Sequence, residues 1–95
     1  MRSNDKPLNE ILKELVNTKQ FKQKILLKRI EKIWQDEMGE TITRYTDQIY
    51  LRKNTLVINV SSSVMRHQLN IGKEQIMKKV NTALGENFVK EVLVY

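Results

Sequence analysis

The sequence contains no cysteine, which excludes disulfides and thiolate metal ligands and leaves nothing to mark the chain as exported. No apolar run approaches the roughly 18–20 residues that a bilayer-spanning helix needs. Met1–Pro7 holds no apolar stretch of the secretory kind, so the expected compartment is the cytoplasm, with no membrane association. The single histidine, His67, has no second imidazole to work with and no acidic residue three or four positions away, so no metal site is expected. His67 follows Ser61-Ser62-Ser63, but those hydroxyls sit where helix N-caps are needed, and an orienting carboxylate would have to come from another element. Nucleophilic catalysis therefore lacks its parts. The three glycines, Gly39, Gly72 and Gly85, stand apart, and isolated glycines make no phosphate-cradling loop. The expectation is a protein that is not an enzyme, uses no cofactor and takes no small-molecule substrate.

What the sequence has is positive charge, unevenly spread. Lys and Arg number 17 against 11 acids, a net +6 and a pI near 9.7. From Lys19 to Lys32 there are six bases and one acid, and from Arg44 to Lys79 seven bases and two acids, so each stretch carries +5. The acids gather in the first predicted helix and at Asp36, Glu37 and Glu40. Segregation of this kind argues for a polyanion or an acidic protein partner better than total charge does. Ninety-five residues suffice for one domain, which buries somewhat over ~60% of its unfolded surface.

Hydrophobic periodicity orders the rest. Residues 1–6 are expected to fray, with Asp5 capping and Pro7 opening a helix over 7–18 whose apolar face is Leu8, Ile11, Leu12, Leu15 and Val16. Phe21 to Met38 reads as a second helix, with Leu26, Leu27, Ile30, Ile33 and Trp34 inward and Gly39 as a left-handed C-terminal cap. Thr41–Thr46 is a mixed connection. Then come two alternating runs, 47–53 and 55–61, joined by Lys53-Asn54, where asparagine tolerates the left-handed backbone of a two-residue hairpin turn. In the first, Ile49 and Leu51 fall on one face and Gln48, Tyr50 and Arg52 on the other; in the second, Leu56, Ile58 and Val60 alternate with Val57, Asn59 and Ser61 as in a half-buried strand. A short helix over 62–70 follows, then Gly72 as a hinge, a helix ended by Gly85, and a closing strand over 88–95. In that strand Val92 and Val94 fall on one face and Val89, Leu93 and Tyr95 on the other. Trp34, Ile49, Leu51, Ile58, Leu69, Val80 and Leu84 are the expected core.

The predicted order is α-α-β-β-α-α-β. Without the first helix it is α-β-β-α-α-β, the order of a type II KH domain, an α+β fold with a three-stranded sheet covered by helices on one face. A single KH-like domain over residues 1–95 is the expectation. The candidate nucleic-acid-binding residues are Arg44, Tyr50, Arg52, Lys53, Arg66 and Lys73: bases near an aromatic ring that can stack on a nucleobase while a guanidinium meets phosphate. A solvated outer strand face reads equally well. Lys24, Lys28 and Lys32 form a second, helical stripe at i, i+4, i+8, which is either a binding face or simply the wet side of an amphipathic helix. The Gly-x-x-Gly clamp of KH domains is missing, since Leu69–Glu74 holds only Gly72.

Trp34, Met38-Gly39, Tyr45-Thr46, Leu51, Leu56-Val57-Ile58-Asn59-Val60, Ser61-Ser62-Ser63, Gln68-Leu69 and Leu84-Gly85-Glu86 resemble, in order and spacing, the bacterial DciA-like domain family. The resemblance covers roughly residues 8–95. It implies a KH-like domain that binds DNA and acts with the replicative helicase at loading without being an ATPase, and it makes Trp34, Gly39, Leu56, Ile58 and Leu69 structural. The chain departs from the family pattern in its hairpin turn, Lys53-Asn54 in place of Asp-Gly, and after the serines, where Val64 and Met65 stand in place of a common tryptophan. Longer members carry a C-terminal extension implicated in contacting the helicase, so the expected helicase surface here is on the domain. Two other readings share the same basic face: an RNA-binding KH-like module, and a domain that docks an acidic protein.

Overall fold

The computed structural model describes residues 7–16 and 18–95, with the side chains of Leu15 and Val16 outside the described set. The expected fraying of residues 1–6 and capping by Asp5 fall outside it too. The elements are α1 (Leu8–Val16), α2 (Lys19–Arg44), β1 (Thr46–Arg52), β2 (Thr55–Val60), α3 (Ser63–Ile71), α4 (Lys73–Leu84) and β3 (Glu91–Val94). The α+β fold and its α-β-β-α-α-β order after α1 are as the sequence predicts. The sheet runs β1-β2-β3, antiparallel between β1 and β2 and parallel between β2 and β3.

The core lies between one face of that sheet and the three helices α2, α3 and α4. Leu56, Ile58, Val60, Val92 and Val94 from the strands meet Ile30 and Trp34 from α2, Leu69 from α3, and Ile76, Val80 and Leu84 from α4. Ile49 and Leu51 point inward as expected but stay only half-buried, because the edge strand β1 packs mainly under α2, whereas Val92 and Val94 on the other edge strand, β3, lie under both α3 and α4. A bulge at Asp47 sets the phase of β1: Thr46 pairs with Val60 and Gln48 with Asn59, leaving one residue extra. Without it Thr46 would face outward with Tyr50. With it Thr46 reaches the core side, where its Oγ1 accepts a 3.0 Å hydrogen bond from Trp34 Nε1 and donates to the Ile42 carbonyl at 2.7 Å.

Several local expectations need correction. Thr18 is the N-cap of α2, accepting from Phe21 N at 3.2 Å, so the helix starts at Lys19 and not Phe21. Gly39 is no left-handed cap: it sits at φ 86°, ψ 175°, a kink after which Glu40–Arg44 resume helical structure. Val89 does not share a face with Leu93 and Tyr95. It precedes β3 and is buried, its N–H and C=O both held by the Asn81 side chain at 2.9 Å. The hairpin turn puts the positive φ, 56°, on Lys53 and not on Asn54, whose side chain instead donates to the Phe88 carbonyl at 2.7 Å.

Gly72 is not a required hinge either. Its φ of −97° and ψ of 20° suit any residue, and an added Cβ would meet nothing closer than 3.9 Å. Gly72→Ala is therefore expected to leave stability unchanged or raise it by about 0.4–1 kcal/mol through the unfolded chain. Gly39→Ala, with open space around it but a backbone conformation essentially reserved for glycine, is expected to cost about 1–3 kcal/mol. Urea titration of the two variants checks the contrast, and equal midpoints would refute it.

Candidate nucleic-acid interface

The face of the sheet turned away from the core helices is built by residues in strict cross-strand register. Tyr50 pairs with Val57, and Val57 with Leu93; beside them Arg52 and Glu91 both pair with Thr55, and Gln48 with Asn59. Val57, read from alternation as a half-solvated position, is fully buried, because it is the middle residue of a row whose neighbours are Tyr50 and Leu93. The row is an apolar strip with a tyrosine at its β1 end.

Tyr50 and Arg52 are two residues apart on β1 and so share this face. The Arg52 guanidinium lies 6.0 Å from the Tyr50 ring centroid, and its Nη2 donates to Tyr50 Oη at 3.3 Å. Both contacts are at the long end of their ranges, so the arginine leans on the ring without being locked to it. Arg52 is exposed and the tyrosine half-buried. A planar ring carrying a mobile cation is suited to a base stacking beside a phosphate.

The structure also joins two sets of residues that the sequence keeps apart. Lys24, from the helical stripe, lies with Gln20, Gln23 and Leu27 of α2 along a shallow groove whose other wall is Tyr50 and Leu51. Lys24 thus belongs with the hairpin site. Lys28 and Lys32 do not: they pair with Glu31 at 3.6 Å and Asp36 at 3.4 Å along the exposed side of α2.

The remaining predicted residues sit elsewhere. Lys53 is at the hairpin tip beyond Arg52, fully on the surface. Arg44 and Arg66 lie at the opposite end of the sheet, about 20 Å away along β1 at strand rise. Arg44 is ion-paired with Glu40 at 3.0 Å. Arg66 is half-buried and donates through Nη2 to the Val60 carbonyl at 3.1 Å, closing the end of β2. Lys73 opens α4 beside Asn70, Ile71 and Glu74, at the place where a KH clamp would be. The six predicted residues are spread over the hairpin, the far end of the sheet and the start of α4 and do not form one compact patch. Arg29 belongs to the frame: its Nη2 donates to the Leu84 carbonyl at 3.3 Å, satisfying the C-terminal end of α4.

His67 is exposed, and the serines before it are occupied locally: Ser62 Oγ caps α3 by accepting from Met65 N at 3.2 Å, and Ser61 Oγ donates to the Tyr45 carbonyl at 3.3 Å. Among the described residues no group of three metal-ligating side chains comes together. No helix of the described residues is long and apolar enough to cross a membrane.

Lys53 offers a clean probe of this surface. A non-glycine residue at φ 56° carries roughly 1–2 kcal/mol of strain, against which glycine's extra unfolded-state entropy is about 0.5–1 kcal/mol. Lys53→Gly is therefore expected to hold or slightly raise the thermal midpoint while removing one cation. A drop in the midpoint would show that the lysine side chain contributes to the fold.

Over residues 7–94 the sequence matches the family model described as Dna[CI] antecedent, DciA. No curated protein matches it. The Trp34–Thr46 hydrogen bond supplies a physical reason for the tryptophan and the aromatic-threonine pair that carry the resemblance: the half-buried threonine is the acceptor for the indole N–H.

Proposed function

The chain belongs to the DciA family, whose general role is in DNA replication at loading of the replicative helicase, and from that premise we propose that it binds DNA through the face carrying Tyr50, Arg52, Lys53 and Lys24. The observation that supports this reading most is the Tyr50–Arg52 pair at 6.0 Å beside the groove that Lys24 lines. A stacking ring, a mobile guanidinium and an ammonium from a second element can hold one strand by base and by phosphate together. Arg44 and Arg66, about 20 Å off along β1, extend the path and do not share its centre.

The chain works in this reading as a non-enzymatic, cytoplasmic accessory. A loader need only bind the open or DNA-engaged helicase ring better than the closed one, since differential affinity shifts such an equilibrium without chemistry in the loader. The cognate helicase, single-stranded DNA and this chain are the components of the test. The expected result is increased helicase loading with no ATP hydrolysis by this chain alone, and reduced loading by Arg52→Ala/Lys53→Gly. No association with the helicase, with or without DNA, would overturn the loader reading. Tighter binding to RNA than to either form of DNA in direct competition would overturn the DNA assignment alone.

A further inference from the structure

Phe21 and Ile25 lie one turn apart on α2, and both are exposed, 38% and 44%. At 100° per residue they fall opposite Ile30 and Trp34, the α2 side chains in the core, so the domain's own core cannot cover them. Lys24 and Lys28 flank the pair on one side and Lys22 on the other, and Lys19–Arg29 holds five cations and no acid. A second apolar surface is also without cover. Leu8, Ile11 and Leu12 of α1 are 71%, 41% and 51% exposed and share one helical face. That helix carries Glu10, Lys13 and Glu14, a net charge of −1. The molecule is drawn out to 62 Å against 24 and 20 Å across, with a radius of gyration of 17.1 Å where a compact chain of this length has about 12 Å. Two apolar helix faces therefore stand in solvent at the same end of the chain, one basic-rimmed and one acidic.

We propose that what covers them is a second copy of this chain, α1 of each protomer lying on the Phe21/Ile25 face of its partner's α2. Charge selects this pairing over its rivals. Laying α2 on a second α2 would set five cations against five, and α1 on α1 would leave the basic rim unanswered, whereas α1 on α2 brings Glu10 and Glu14 to the lysines. The lengths agree as well: α1 is nine residues, about 13.5 Å, and Lys19–Arg29 is eleven, about 16.5 Å. An exchange of this kind is isologous and closes as a dimer, because each α1–α2 contact is matched by its two-fold mate. Lys24 rims both this surface and the groove beside Tyr50, whereas Tyr50, Arg52 and Lys53 stay clear of the dimer contact.

Sedimentation equilibrium of the full chain at low salt, up to on the order of 100 μM, is the first measurement, and a dimer is expected. Two charge-reversed variants then test the pairing. Glu10→Lys/Glu14→Lys makes both helices basic, and Lys19→Glu/Lys22→Glu/Lys28→Glu takes Lys19–Arg29 from +5 to −1 and makes both acidic, so each alone should dimerise at least about tenfold more weakly. Mixed together they should recover a heterodimer, since each then meets an opposite charge at both contacts. All substituted positions are on exposed helix faces, and recovery on mixing itself shows that both variants are folded. A parent chain that stays monomeric throughout, dimerisation indifferent to both variants, or a mixture no more associated than its components would each overturn the proposal. So would a monomer that uses Leu8, Ile11 and Leu12 to bind the helicase instead.

Discussion

Replacing Trp34 by alanine is expected to lower stability by about 3–5 kcal/mol, a large part of what a domain of this size has. The side chain is 1% exposed and is the largest fully buried one, set between α2 and the sheet among Ile30, Leu56 and Ile58. Alanine would leave a cavity that the surrounding β-branched residues cannot close without leaving their rotamers. The indole also makes a polar bond, and Thr46→Val separates the two contributions. Valine keeps the shape of threonine but leaves the Trp34 N–H without its acceptor at a buried site, for an expected loss of about 1–3 kcal/mol. Urea titration gives both numbers. A Trp34→Ala midpoint equal to that of the parent would contradict the burial on which the fold rests, and a Thr46→Val loss as large as that of Trp34→Ala would show that packing is the minor term.

Single-stranded DNA binding is expected to fall by about two orders of magnitude between 50 and 200 mM salt, if some five of the predicted cations reach phosphates. Each contact adds roughly −0.7 to the log–log salt slope on a single strand and −0.9 on a duplex. Arg52→Ala/Lys53→Gly should flatten the slope by about 1.4–1.8 and, because one substitution relieves strain and the other is on the surface, should leave the fold intact. Tyr50→Ala should weaken binding by roughly 1–3 kcal/mol with the slope unchanged, since stacking releases no counterions. Lys28 and Lys32, engaged with Glu31 and Asp36, are the control pair, and Lys24 is not, because the fold sets it beside Tyr50. If Lys28→Ala/Lys32→Ala loses more affinity than the hairpin variant, the wrong face carries the DNA.

Much of this architecture is legible in the order of residues. Leu56-Val57-Ile58-Asn59-Val60 alternates because a strand has period two, Ser62 precedes α3 because the first-turn amides need an acceptor, and Gly85 ends α4 at φ 81°, ψ 14° because that conformation suits residues without a Cβ. These are local rules, each satisfied within a few residues, and a linear reading captures them. Trp34 as an anchor follows from the same logic, a large apolar side chain on the inner face of an amphipathic helix.

What the linear reading misplaced depends on distant neighbours. Ile49 and Leu51 alternate like core residues but stay half-buried because β1 packs mainly under one helix, α2, while Val57 alternates like a surface residue and is sealed because β2 ended up in the middle. Asn81 carries no signal by itself, and its double bond to Val89 exists only because α4 runs beside the chain on its way into β3. Gly39 breaks α2 as its residue type suggests, but the turn that follows is tied down from outside the local sequence, by Thr46, which donates to the Ile42 carbonyl and accepts from the tryptophan N–H. The predicted binding residues show the same division. The sequence by itself determined which residue types are present and that Tyr50 and Arg52 share a face, because strand parity is a covalent fact of the backbone. Only the tertiary structure decided that Lys24 joins them, that Arg66 turns inward to a carbonyl, and that Arg44 lies at the far end. Those placements are set by how α2 and α3 pack on the sheet, through contacts such as Trp34 with Thr46, 12 positions apart, and Asn70 with Val94, 24 apart, that no local periodicity encodes.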